Sequence, residues 1–467
     1  MVRVITQETY DDVVKENMNE FDMSPEEAIK EAIAQFEAQG VDLSNIIKDL
    51  NLNTGEEHLV SLTVKKLKEL SNAGQNNDEL VLEQLDILMK ECNKDIAHRV
   101  RAGKEGIYTV LINLLEAKQK SYLKINDAKD AAIIIKVLNT LISLMDSQPD
   151  LLDRRGVEII KKNLDEIDDE SILIATLKWA ALCCVKHEMN RQMIFGIGIG
   201  RNLKNLLNKT NNEQLITECL QVIRKLTLDD DVRVEFGRAH EHARELGAEL
   251  LDTLTRLLEN NMKPPLVCDM MCTIACLLVR HELCALAAER GATLLFTVLA
   301  DNYDDLTVIH QATKLITALA GNDDVKRQLV KCGIVPIIVS LLSRFASNAT
   351  VTAQTLRCVS ALALREPAHG RLLLDCGAPE PLAHCLKMHP RNAAVQKNGC
   401  WAIRNMVARC RDYNSKFKEL GIEDILNQTY AIFSQDFGFD IKSALRDLDC
   451  EVKLDEQWTG KGVQMTN

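Results

Sequence analysis

Between Leu226 and His242 the chain reads LTLDDDVRVEFGRAHEH. Asp229, Asp230, Asp231, Arg233, Arg238, His240 and His242 crowd into this stretch, and these are residue types that ligate metals or move protons. A second stretch, AGNDDVK from Ala320 to Lys326, places another Asp pair before bases. Metal ligation needs side chains that converge on one ion. His240 and His242 are two residues apart, which on a helix puts them on different faces. Asp and Glu neighbours could complete a site only through long-range folding. The expectation for 226–242 is therefore an exposed loop extension, with Asp229 to Asp231 as capping and turn residues. In AGNDDVK, Asp323 or Asp324 is expected to cap a helix start. Lys326 and Arg327 are expected on its exposed face.

Other chemistry is thinly represented. The fifteen cysteines contain no Cys-x-x-Cys and spread from Cys92 to Cys450. Cys268, Cys272 and Cys276 repeat every four residues, and a stripe on one helix face makes a poor tetrahedron. Buried free thiols acting as small hydrophobes are the simpler reading. That number of free thiols points to a reducing compartment, the cytoplasm or the nucleus. There is no phosphate-binding Gly-x-x-x-x-Gly-Lys-Ser/Thr loop and no His-Glu-x-x-His. FGIGIG (195–200) opens no strand-helix phosphate cradle and is expected to be a flexible corner between helices. No catalytic residue, cofactor site or metal site is expected.

The elements that would position such residues follow from composition. The chain has 467 residues, only 4% of them aromatic, and few Pro or Gly. Such a length exceeds one ordinary core, so the chain is either several domains or one repeat array. No stretch reaches about 18 apolar residues, so no membrane span is expected. The opening MVRVITQETYDDVV does not read as a signal peptide. The net charge is −12, and residues 1–60 hold fourteen Asp/Glu against four Lys/Arg. The body is thus close to neutral, without the basic density of a nucleic-acid surface.

A repeat organises the body. Gly106, Gly156, Gly198, Gly247, Gly291, Gly333, Gly377 and Gly421 are spaced by 50, 42, 49, 44, 42, 44 and 44 residues. Apolar residues follow most of them at +4, +5, +8 and +9, which makes one buried helical face. A longer apolar helix precedes the next glycine, as in LKWAALCCV, QATKLITALA and GCWAIRNMVA. Each unit therefore reads as a short helix, a glycine corner, a second helix and a longer third helix. The glycine suits a left-handed cap, where a side chain would cost about 1 kcal/mol. Such units cannot bury their apolar faces alone and must stack.

This pattern resembles the armadillo repeat. The fold class implied is all-α: a right-handed superhelical armadillo-repeat solenoid of about eight three-helix units. The segments EEAIKEAIAQFEAQGVDLSNI, QPDLLD, KHEMNRQ, LTLDDDVRVEFGRAH, AGNDDVK, ALRDL and WTG extend the likeness over nearly the whole chain. They are similar to the armadillo repeat-containing protein 6 family, which implies a scaffold without enzymatic activity. His240-Glu241-His242 also resembles the recognition tract of a histidine methyltransferase, although Glu241 is not the small middle residue such a tract prefers. His240 and His242 are thus candidate modification sites.

In armadillo arrays the third helices line the concave face. In nuclear-import adaptors a Trp and an Asn four residues later recur there, gripping Lys side chains and the peptide backbone. The corresponding pairs here are Trp179/Cys183, Gln221/Lys225, Cys272/Cys276, Lys314/Ala318, Arg357/Ala361 and Trp401/Asn405. Only the last has both residues, which disfavours an adaptor for basic cargo. Lys225, Lys314 and Arg357, with Arg224 and Arg404 beside the same positions, imply instead a basic strip suited to an acidic or phosphorylated ligand. The candidate partner-binding groove is Lys225, Lys314, Arg357, Trp401, Arg404 and Asn405.

The acidic segment, residues 1–60, carries an amphipathic helix at about 24–39. Ser24 is its N-cap, Pro25 its first residue and Glu27 completes a capping box. Ala28, Ile29, Ala32, Ile33 and Phe36 form its apolar stripe. This helix is either a docking element or a simple cap on the array. Residues 61–77 are expected as a linker, 78–452 as the array and 453–467 as a tail with Trp458. The function expected is a non-catalytic scaffold binding an acidic or helical segment of a protein partner, with neither nucleic acid nor membrane as ligand.

Overall fold

In the computed structural model the described residues are 3–48, 58–72, 78–260 and 263–452. Most of the polar stretch 51–58, part of the expected linker (73–77) and the tail from 453 lie outside them. The chain divides into two compact units, residues 1–249 and 250–467.

The first unit opens with a small module. Helices α1 (Gln7–Glu20) and α2 (Pro25–Ala38) pack together, and the two-residue strands β1 (Arg3–Val4) and β2 (Val41–Asp42) pair in parallel. Its core is Tyr10, Val14, Ala28, Ala32, Phe36, Leu43 and Ile46. Ser24 caps α2 and Glu27 closes the capping box, with Pro25 in the first turn. The apolar stripe of α2 is thus used within the module, against α1. Residues 59–72 form helix α3 (Leu59–Asn72), with Val60, Val64 and Leu67 buried. Helix α4 (Asp78–Cys92) follows.

The repeats then run in series. The first is α5 (Ile96–Lys104), α6 (Ile107–Ile125) and α7 (Ala128–Met145). In the second, the short helix shrinks to a 3-10 turn (Pro149–Leu151) before α8 (Arg154–Glu166) and α9 (Glu170–Cys183). The third is α10 (Glu188–Gly196), α11 (Ile199–Lys209) and α12 (Glu213–Leu226). In the next two, the first and second helices are continuous: α13 (Ala239–Asn260) with α14 (Pro264–Leu277), and α15 (His281–Asp301) with α16 (Leu306–Leu319). Regular triplets return as α17 (Asp323–Lys331), α18 (Ile334–Arg344) and α19 (Ala349–Ala363), then α20 (Pro367–Asp375), α21 (Pro379–Met388) and α22 (Ala393–Val407). The last repeat is α23 (Asn414–Glu419) and α24 (Ile422–Asp447), broken by non-helical backbone at Phe433 and Phe437.

The glycine corner holds at five of its eight positions. Gly106, Gly198, Gly333, Gly377 and Gly421 have φ between 75° and 95°, a region costly for any side chain. Gly156, Gly247 and Gly291 lie inside α8, α13 and α15 instead. Gly156 serves close packing: a Cβ there would sit 2.6 Å from Tyr108 Oη and 2.8 Å from a Leu152 methyl.

Within each unit, neighbouring third helices pack on one another. α7, α9 and α12 form that series in the first unit, and α14, α16, α19, α22 and α24 in the second. Their packed faces are mostly apolar and buried, with a buried threonine on α7, α9, α14, α16, α19 and α24. One polar device recurs beside them. A side chain of a first helix donates to a carbonyl at the end of the preceding third helix, seven residues back. Arg99 does so to Cys92 O at 3.2 Å, Asn190 to Cys183 O at 2.9 Å, Arg191 to Cys184 O at 2.9 Å and His369 to Leu362 O at 3.0 Å. These carbonyls have no intrahelical partner, so the contact completes the helix C-terminus. Among the described residues, no single helix is long and apolar enough to cross a membrane.

Candidate partner-binding face

The third helices leave one row of side chains in contact with solvent. Five of the six ladder pairs start on that row: Gln221, Cys272, Lys314 and Trp401 are half-buried and Arg357 is exposed. Trp179 is the exception. It is fully buried, and its indole N–H donates to Met145 Sδ at 3.1 Å. Half-buried Lys178 takes its place on the row, 3.9 Å from Glu218. The ladder expected at Trp179 stands one residue out of phase here, because an uninterrupted apolar run does not reveal which of its residues points outward.

The candidate residues are divided between the two units. Lys225 stands half-buried in the last turn of α12, in the first unit. Lys314, Arg357, Trp401, Arg404 and Asn405 belong to the second, on α16, α19 and α22. Lys314 Nζ lies 3.8 Å from Cys272 Sγ. Together with burial, its charge holds the nearby His310 below the usual histidine range. Arg357 has no carboxylate within ion-pair distance among the described residues. Trp401 carries Lys397 Nζ 5.1 Å from its ring centroid, a cation–π contact.

Arg404 and Asn405 are partly committed. Arg404 Nε lies 3.5 Å from Asp447 Oδ2. The Asn405 amide donates to Ser360 O at 3.0 Å and Ser360 Oγ at 2.9 Å, which ties α22 to α19. Asn398 repeats this seven residues earlier, two helical turns back, donating to Ala353 O at 2.8 Å. Asn405 therefore serves the stack as much as any ligand. Sequence reasoning missed Lys397, whose spacing of four from Trp401 on a helix was a usable signal.

The Cys268–Cys272–Cys276 stripe lies on the same face of α14, with each thiol half-buried. Burial pushes the Cys268 thiol up to about 11. Deeper thiols such as Cys358 and Cys400 are pushed to about 12, so they remain protonated and inert.

The 226–242 segment is an ion-pair clasp. Asp231 accepts from Glu188 N–H at 2.9 Å and pairs with Arg233 at 2.9 Å. These contacts, the Arg233 hydrogen bond foremost, hold its carboxyl well below the usual range. Arg233 also reaches Asp150 at 2.9 Å, and Asp230 pairs with the buried Arg191. Glu188 closes the ring, binding Arg191 at 2.9 Å and accepting from Arg238 N–H at 2.7 Å. His242 is buried, stacked 4.0 Å from Phe195, and its Nδ1–H donates to Leu226 O at 3.0 Å. His240 is exposed, so the two rings share no ligand position. Among the described residues no group of three His, Cys, Asp or Glu side chains is arranged to hold a metal.

At the second acidic turn the cap is Asn322, which accepts from Asp324 N–H and Val325 N–H. Asp323 and Asp324 are the first helical residues. Lys326 is not exposed: it is fully buried and donates to Asp323 Oδ1 and Leu364 O, each at 2.8 Å. A buried ammonium is tolerable only with such partners. Arg327 remains on the surface, bound to Glu366 at 2.9 Å. FGIGIG is the corner between α10 and α11, with left-handed Gly198 at the turn. A Cβ at Gly200 would lie 2.5 Å from Glu249 Oε2.

Comparison with known proteins places this geometry in a family. Residues 2–76 match the armadillo repeat-containing protein 6 N-terminal domain, and residues 60–466 match the ARMC6 family model. The armadillo repeat-containing protein 6 homolog of Drosophila melanogaster is 43% identical over 98% of both chains. Armadillo repeat-containing protein 6 of Homo sapiens is 32% identical over 79% of this chain and 75% of its own. The crystal structure of an engineered protein superposes with a TM-score of 0.67 at 17% identity, covering 96% of this chain and 95% of that one, which supports the fold alone. Repeat spacing, helical stacking and these matches agree, and the chain belongs to the armadillo repeat-containing protein 6 family.

Proposed function

We propose that this chain is a non-catalytic scaffold, and that the third-helix face of residues 250–467 docks an acidic peptide segment of a partner protein. Arg357 carries the reading. It stands exposed on that face, on the helix between those of Lys314 and Trp401, with no carboxylate in ion-pair distance among the described residues. A guanidinium so placed favours carboxylate or phosphate ligands. Trp401 and Lys397 add an apolar surface and a second positive charge beside it.

The test is binding of a labelled Asp/Glu-rich peptide to the full chain, beside a Lys-rich peptide of equal length. The acidic peptide should bind more tightly, and Lys314→Glu with Arg357→Glu should weaken it by at least about tenfold. Helicity should not change. Preference for the Lys-rich peptide would instead favour an adaptor for basic cargo, and equal binding of wild type and double variant would remove this face from the reading.

A further inference from the structure

Three half-buried thiols follow one another along one face of α14, at Cys268, Cys272 and Cys276, and they do not share one electrostatic setting. Burial pushes the Cys268 thiol up to about 11, and the Asp305 and Asp269 carboxylates add to the effect. Four residues on, the Cys272 sulfur has the Lys314 ammonium of α16 3.8 Å away. Lys314 has no carboxylate within ion-pair distance among the described residues, so its charge is not neutralised by an acid. That charge is felt at His310, four residues earlier on α16, which burial and Lys314 hold below the usual histidine range.

The contrast bears on reactivity. A thiolate, not a thiol, attacks an electrophile, and an ammonium this close favours the thiolate by about tenfold or more. On one face of one helix, Cys268 is thus biased toward the inert form and Cys272 toward the reactive one. Half-burial on the row that meets solvent leaves Cys272 open to a small solute. Deep thiols such as Cys358 and Cys400 have neither the access nor the ammonium.

We infer that Cys272 and Lys314 form a modification site at which hydrogen peroxide oxidises the Cys272 sulfur. The thiolate attacks one peroxide oxygen, an S–O bond forms and the O–O bond breaks. The sulfur is oxidised to a sulfenic acid, and the peroxide is reduced, its second oxygen leaving as hydroxide that takes up a proton to become water. The neighbouring thiols do not then close on the product. Side chains four residues apart on a helix have Cβ atoms about 5–6 Å apart, whereas a disulfide needs about 3.5–4.5 Å. The sulfenic acid is returned instead by small external thiols: one condenses with it to a mixed disulfide with loss of water, and a second releases Cys272. The site lies on the face read as a peptide dock, but no peptide enters the reaction, so the inference does not depend on that reading.

The test treats the full chain with hydrogen peroxide near neutral pH and traps sulfenic acids with dimedone. Fragment mass spectra then assign the label among Cys268, Cys272 and Cys276. Cys272 should be labelled ahead of the other two. Lys314→Met should slow its labelling at least about threefold, since a tenfold loss of thiolate is partly offset by the greater nucleophilicity of a more basic sulfur. Lys314→Arg keeps the charge and should stay near wild type, and the exposed Cys332 should be labelled at one rate in all three chains. Equal labelling of Cys268 and Cys272 overturns the inference, as does a Cys272 rate that Lys314→Met does not lower. Lys314→Arg as slow as Lys314→Met would show that the lysine acts by packing rather than charge, which overturns it too.

Discussion

The backbone N–H of Glu188 donates to the Asp231 carboxylate at 2.9 Å, across 43 residues of sequence. It joins the first turn of α10 to the loop after α12, so one repeat junction is braced by the next. Asp231 is held in its charged form by this bond and by Arg233.

This relationship has a pH signature. The folded-state pKa of Asp231 lies below its unfolded value, so its contribution is fully present above about pH 4–5. It is lost as pH falls toward the depressed folded value. Asp231→Asn should lower Tm at pH 7, and the gap to wild type should narrow below about pH 4. A gap that stays constant between pH 7 and pH 3 would show that the carboxylate charge is not what holds the loop.

The buried Arg191 should matter more. Its guanidinium binds Glu188, Asp230 and the carbonyl of Cys184 with 1% of the side chain exposed. Arg191→Met strands the buried Glu188 charge, with an expected loss on the order of 3 kcal/mol. Urea unfolding measures it, and a loss below about 0.5 kcal/mol would mean that Glu188 finds another partner.

Gly156→Ala tests the tight packing around Trp179. The added Cβ meets Tyr108 Oη, which donates to Asp153 Oδ1 at 2.9 Å and forms part of the α8 cap. Overpacking there should destabilise by about 1–3 kcal/mol, although alanine favours helix. Increased stability would show that Tyr108 gives way freely. Tryptophan fluorescence during unfolding follows the site directly in a background where Trp401 and Trp458 are replaced by Phe.

Thiol reactivity separates the cysteines. Burial pushes Cys184, Cys358 and Cys400 to about 12, and all three are inaccessible. An aromatic disulfide reagent at pH 8 should label the exposed Cys332 rapidly and these three only after unfolding. Peptide mapping decides it, and rapid native labelling of Cys358 would show that α19 opens readily.

Much of this protein is written locally. The capping box at Ser24 and Glu27 needs only four consecutive residues, and α2 runs Pro25–Ala38 against an expected 24–39. The third helices sit where their apolar runs place them, because 3.6-residue periodicity is a property of the segment itself. Five glycine corners follow for the same reason, since a left-handed turn selects its residue locally. Other features depend on partners far along the chain. Lys326 looks like a surface residue until Leu364 O, 38 residues on, accepts a hydrogen bond from its ammonium. Trp179 joins the core rather than the ladder because α7 offers Met145 and α8 offers the space at Gly156. Gly247 and Gly291 keep the repeat spacing but lie within continuous helices. The acidic run at Asp229 to Asp231 gains its role only when α10 supplies the N–H groups and Arg191. Sequence determined which segments are helical and how often they recur, since backbone preference and periodicity act over a few residues. Tertiary structure decided which charges are buried and which apolar side chains remain in water, since desolvation depends on neighbours that periodicity does not specify.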